Sequence, residues 1–126
     1  MEIITSDKAS KAIGPYSQAV AINGLVFCSG QLGLDPATLK LVEGGVEAQT
    51  EQVLTNIAGI LTAAGLTSKD IVKSTVFLKD MNDFTTINTV YARYLGEHKP
   101  ARSTVQVARL PLDALVEIEC IAARTA

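Results

Sequence analysis

Apolar residues recur at three- and four-residue spacing in two stretches of the chain and cluster in short β-branched runs elsewhere. From Val46 to Ala64, the residues Val46, Thr50, Val53, Ile57, Ile60, Leu61 and Ala64 share one helical face, and Gly65 stands where a glycine cap ends a helix. From Asp83 to Leu95, Phe84, Ile87, Tyr91, Tyr94 and Leu95 do the same, with Asn82 or Asp83 to cap the start and Gly96 to end it. Ser17–Ile22 and Leu25–Ser29 flank Asn23-Gly24, a strong local signal for a hairpin. Ile71–Leu78, Thr104–Arg109 and Val116–Ala123 read as longer strands, and Ile3–Thr5 as a short first one. The turn-rich segment from Gly30 to Gly45 reads as one long surface loop. The pattern predicts an α+β domain: a mostly antiparallel or mixed sheet of about six strands, with two helices on one face.

One face of that sheet lacks a cover. Ser74, Val76 and Leu78 share one phase of their strand, yet the opposite phase, Thr75 and Phe77, is not strongly polar. A second apolar face calls for a partner, most simply copies of the same chain.

The length of 126 residues suits a single domain spanning 1–126. Apolar residues make up 48% and charged residues 19%, which excludes a disordered chain. The net charge of −2 and the 5% aromatic content, with no Trp, count against polyanion binding and stacking on single strands. Cys28 and Cys120 form no Cys-x-x-Cys and sit in apolar runs, so they read as small buried hydrophobes in a reducing, cytoplasmic setting. No stretch approaches a membrane span, and the first ten residues carry no leader-like apolar core.

Common mechanisms fail on inventory. The single histidine, His98, lies between Glu97 and Lys99 without metal-ligand spacing around it, and reads as a solvated residue. No nucleophile elbow supports a triad, Gly30-Gln-Leu-Gly33 lacks the third glycine of a dinucleotide fingerprint, and Gly44-Gly45 lacks a following Lys-Ser/Thr.

Three features remain. Gly14-Pro15-Tyr16-Ser17 is a turn that holds a tyrosine where a strand begins. Pro100-Ala101-Arg102-Ser103-Thr104 opens an apolar strand with an arginine, which needs an anionic partner: a protein carboxylate, or a substrate carboxylate or phosphate. Val116-Glu117-Ile118-Glu119-Cys120 puts two glutamates on one face, as solvated groups or as a carboxylate available for acid–base work. If the last two strands form a hairpin around Leu112, Arg102 pairs near Ala122 and Glu117 near Val107. Five residues at about 3.3 Å each then hold Arg102 and Glu117 about 17 Å apart, too far to share a small substrate within one chain.

These blocks, with Gln18-Ala19, Ser29-Gly30-Gln31, Ala108-Arg109-Leu110-Pro111 and Asp113-Ala114-Leu115, strongly resemble the RidA (YjgF) family, the reactive intermediate deaminases, from Ile3 to Arg124. The resemblance implies a chorismate-mutase-like α+β fold, a homotrimer with ligand sites between subunits, and cofactor-free hydrolysis of 2-imino acids such as 2-iminobutanoate and 2-iminopropanoate to 2-keto acids and ammonia. It implies that Arg102 holds the substrate carboxylate and that Glu117 orients or deprotonates the attacking water. Tyr16 would line the pocket and hydrogen-bond the substrate or water. Ser29 and Gly30 would form the floor, with a backbone N–H reaching the ligand. Thr104 would also face the substrate, at a position where many members carry Cys, so no thiol acts there. Asn88 matches a common family residue with an expected structural role. Two competing readings are a small-carboxylate-binding regulatory trimer without turnover, and the ribonuclease or chaperone activity that parts of the family carry in name.

Overall fold

The alternation in Val116–Ala123 has a direct structural consequence: Val116, Ile118, Cys120 and Ala122 are all buried, while Glu117, Glu119, Ile121 and Ala123 lie on the other face. A strand with that many buried positions belongs in the middle of a sheet, and that is where it sits. The computed structural model describes residues 1–124; the last two positions of the expected 1–126 domain lie outside the described residues. Six strands, β1 (Glu2–Ile4), β2 (Ala19–Ile22), β3 (Leu25–Leu32), β4 (Ile71–Leu78), β5 (Ala101–Gln106) and β6 (Val116–Ala123), form one mixed sheet in the order β1-β2-β3-β6-β4-β5. Helix α1 (Gly45–Ala63) follows β3, and helix α2 (Phe84–Leu95) joins β4 to β5.

Most local signals work as expected, although the strand expected over Thr104–Arg109 spans Ala101–Gln106 and ends before Val107. Asn23 and Gly24 both adopt positive φ, 51° and 79°, and turn β2 into β3. Gly65 and Gly96 take positive φ just past the two helices. The start of α2 differs: Asp83 makes no side-chain cap, and Asp80 instead accepts from Asn82 N–H in the short 3₁₀ turn before it. The predicted loop also begins later, because Gly30 and Leu32 still belong to β3.

The core lies between the helices and one sheet face. Val53, Ile57, Ile60, Leu61 and Ile87 from the helices meet Val26, Val76, Leu78 and Ile118 from the strands. Cys28 and Cys120 are buried there as cross-strand neighbours. The other face stays open. Ile3, Phe27 and Val105 are exposed at 64%, 39% and 42%, and registered pairs place Ile3, Val20, Phe27 and Ile121 in one row across it.

The expected hairpin of the last two strands does not form. β5 runs parallel to β4, with Arg102 opposite Ser74, and β6 is antiparallel to both β4 and β3. Ala122 faces Val26 and Ile71, and Glu117 faces Leu32 and Phe77. The reason is the helix: a strand–helix–strand connection lays its strands side by side in parallel, so α2 commits β5 to β4's outer edge. After β5 the chain crosses the end of β4, where Val107 N–H donates to Leu78 O and Lys79 N–H to Leu115 O. Leu112 and Asp113 reverse it with φ of 57° and 56°. His98 is not merely solvated, since its half-buried ring Nε2 lies 2.7 Å from Ile71 O.

Candidate active site

β3 and β6 pair regularly from Leu25 to Cys28, then lose one step of register before Gln31. Ser29 and Gly30 together stand opposite Glu119 in this bulge, which re-aims the chain beside Glu117. Gly30 admits the Glu117 side chain at close range: a Cβ at residue 30 would lie 2.8 Å from Glu117 Cδ. Any larger residue would displace the carboxylate. Tyr16, Gly30 and Glu117 line one cavity of about 300 Å³, walled by the apolar side chains of Ile13, Leu34 and Leu112. Burial, and secondarily the charge of Glu119 on the same face, push the Glu117 carboxyl above its ordinary value. A carboxylate raised in this way is a stronger base than an exposed one.

Several supports hold these groups in place. The Tyr16 hydroxyl accepts from Ile13 N–H at 3.3 Å. Ser29 is fully engaged with the segment before β2: its hydroxyl donates to Ser17 O at 2.6 Å and its N–H to Gln18 O at 2.9 Å. Ser29 therefore offers no free donor to a ligand; it braces the bulge on which Gly30 sits. Gln49, buried on α1, accepts from Leu115 N–H at 2.9 Å and so fixes the approach to β6 two residues before Glu117. Sequence pattern gave no hint of Gln49 or of the cavity walls, because nothing local distinguishes them from core and loop residues.

Arg102 and Thr104 lie elsewhere. They share the Ser74–Val76 phase of the sheet, which is the helix-covered face, at its β5 edge. Glu117 shares the Phe77 phase and faces the opposite way. Along β4 the two levels are three residues apart, and across the sheet two strands apart, which separates the backbones by about 14 Å. The hairpin register is thus replaced, yet one chain still does not bring Arg102 to Glu117. Among the described residues Arg102 has no carboxylate partner; its Cζ lies over the rings of Tyr91, at 4.9 Å, and Phe84, at 5.7 Å. The Thr104 hydroxyl is buried without a hydrogen-bond partner. Asn88, half-buried on α2, lies on the same helix as those rings. Among the described residues, no group of three or more His, Cys, Asp or Glu side chains is placed to hold a metal ion. Among the described residues, no helix is long and apolar enough to cross a membrane.

The chain is similar to known proteins over nearly its whole length. The 2-iminobutanoate/2-iminopropanoate deaminase of Bos taurus is 53% identical over 121 residues, covering 96% of this chain and 88% of that one. The crystal structure of RidA from an Antarctic Psychrobacter matches with a TM-score of 0.94 at 49% identity, covering 98% of this chain and 99% of that one. The structure of E. coli TdcF with bound serine matches with a TM-score of 0.95 at 47% identity, covering 99% of this chain and all of that one. Residues 6–124 match the family described as Endoribonuclease L-PSP. Family match, sequence identity and backbone superposition thus agree over nearly the whole chain, which belongs to the RidA (YjgF) family.

Proposed function

We propose that this protein hydrolyses small 2-imino acids, such as 2-iminobutanoate and 2-iminopropanoate, to 2-keto acids and ammonia, in clefts shared by neighbouring copies of a homotrimer. The observation that carries this reading is the Glu117 carboxyl, raised by burial and set against Gly30 and Tyr16 in an apolar-walled cavity. The deaminase name of the bovine relative and the serine bound to TdcF support a small amino-acid-like ligand.

The chemistry asks little of the protein. A protonated imine is already electrophilic, so the site has only to orient it and place one water. Glu117 takes a proton from that water as its oxygen bonds to the imine carbon and the C=N π pair moves to nitrogen. The same proton then passes to nitrogen; the C–N bond breaks with its electron pair leaving on ammonia, and the remaining hydroxyl proton goes to Glu117 as the carbonyl forms, from which the released ammonia takes it as ammonium. No step consumes a cofactor. Tyr16 borders the water, and Gly30 leaves room for the carboxylate. Arg102 from a neighbouring copy supplies the bidentate clamp for the substrate carboxylate, with Thr104 beside it. The opposed faces of Arg102 and Glu117, together with the open apolar face, support the shared cleft. A reducing cytoplasm suits the two free thiols.

The ribonuclease description attached to the family finds less support, since His98 lies beyond α2, outside the cavity, with its Nε2 against Ile71 O. The test generates 2-iminobutanoate in situ with a dehydratase and follows keto-acid release. The protein should accelerate release, Arg102→Ala should abolish the effect, and Glu117→Gln should slow it by about 10²–10⁴-fold. If the wild-type protein gives no acceleration but binds 2-ketobutanoate through Arg102, it is a carboxylate-binding regulator instead.

A further inference from the structure

We propose that Tyr91 and Phe84 form an aromatic cradle that positions the Arg102 guanidinium for an incoming carboxylate. This inference rests on the reading that Arg102 takes the substrate carboxylate. An arginine at the edge of a core ordinarily finds an acid. On the surface, Arg93 pairs with Glu47 and Glu51, and Arg124 with Glu2. Arg102 differs. It is half-buried on β5, its guanidinium makes no hydrogen bond or ion pair among the described residues, and it lies over two ring faces supplied by α2.

The choice of aromatic over acidic neighbours has a chemical consequence. A carboxylate beside Arg102 would neutralise it and occupy the planar N–H fork that a ligand needs. A ring attracts the cation through its quadrupole and uses no N–H donor. The guanidinium is therefore held while its donors stay available for bidentate capture. Tyr91 is suited to the task because it is anchored: it is buried in the α2 face with Ile87, Val90 and Leu95. Its hydroxyl is buried beside Ser74, without a well-formed hydrogen bond to it, and the ring face is what lies against Arg102. Phe84, at the first turn of α2 and 38% exposed, closes the outer side of the cradle. Burial also pushes the Tyr91 phenol above its ordinary value, so it stays neutral beside the cation.

The test separates positioning from packing. Tyr91→Phe keeps the ring, whereas Tyr91→Leu keeps apolar volume and loses it. Calorimetric titration with 2-ketobutanoate should show unchanged affinity for Tyr91→Phe and a loss of about 2- to 30-fold for Tyr91→Leu. Turnover of 2-iminobutanoate by Tyr91→Leu should show a raised KM with little change in kcat, because the ring acts on carboxylate capture and not on the water. Phe84→Leu, at a more exposed site, should repeat the effect in weaker form and serves if Tyr91→Leu does not fold. If Arg102→Ala loses 2-ketobutanoate binding while folded Tyr91→Leu and Phe84→Leu keep wild-type affinity, the cradle is refuted and the role of Arg102 stands. If the wild-type protein binds no 2-ketobutanoate, or Arg102→Ala binds it as well as wild type, the underlying reading fails and the cradle falls with it.

Discussion

Replacing Gly30 with alanine should move the Glu117 carboxylate, the proposed base, without disturbing the core. A Cβ at residue 30 would stand 2.8 Å from Glu117 Cδ, 3.0 Å from Cγ and 3.1 Å from Oε1. Carbon atoms rest at about 3.5 Å or more, so the Glu117 side chain must retreat by about 0.5–0.7 Å. The three nearest atoms all belong to one flexible, half-buried side chain, so the strand pairing should survive and the melting temperature should change little. The reaction is less tolerant. Misplacing a reacting group by about 1 Å costs on the order of 10²-fold, and a shift of half that or more should lower kcat by about 10- to 100-fold. The assay is keto-acid release from 2-iminobutanoate generated in situ, with a thermal melt of each variant. Because both substitutions act on one carboxylate, Gly30→Ala combined with Glu117→Gln should be no slower than Glu117→Gln alone. Wild-type kcat in Gly30→Ala, or a loss fully additive with Glu117→Gln, would refute the reasoning.

Glu117→Gln should also stabilise the fold at neutral pH. The folded carboxyl holds its proton more tightly than the unfolded one, so the wild-type protein loses stability as pH rises through the window above the ordinary value of 4.5. Melting curves should show the variant ahead at pH 7 and the gap closing in acid; equal melting temperatures at pH 7 would contradict the burial of the charge. Gln49→Leu leaves the Leu115 N–H unpaired and should cost about 1–3 kcal/mol in denaturant midpoints. Arg102→Ala and Glu117→Gln, unfolded and refolded together, should regain activity. In a random mixture, about a quarter of the shared clefts combine a wild-type Arg102 with a wild-type Glu117 from the next copy. No recovery in mixed oligomers confirmed by mass would place both residues in one chain's site.

Local chemistry determined a large part of this molecule. The two helices, the Asn23-Gly24 turn and the span of Val116–Ala123 follow from spacing, positive-φ residues and alternation, all of which act within a few residues. As candidates, Tyr16, Arg102 and Glu117 stand out by a turn, a strand opening and an alternation, whereas Ser29, Gly30 and Thr104 are named only through the family resemblance. What local chemistry left open was who pairs with whom. Strand partners are chosen by contacts distant in sequence, and an apolar β6 satisfies its pattern in a hairpin or in mid-sheet alike. Only the packed structure placed it between β3 and β4, because α2 had already set β5 parallel to β4 on the outside. That placement put Arg102 and Glu117 on opposite faces. The same limit applies to Arg102 itself. Its sequence calls for an anionic partner inside or outside the chain; within the described residues the fold gives it no acid and lays it over the rings of Tyr91 and Phe84. A helical face that reads as core can offer its π surface to a cation only once tertiary packing lays the helix across the strand edge.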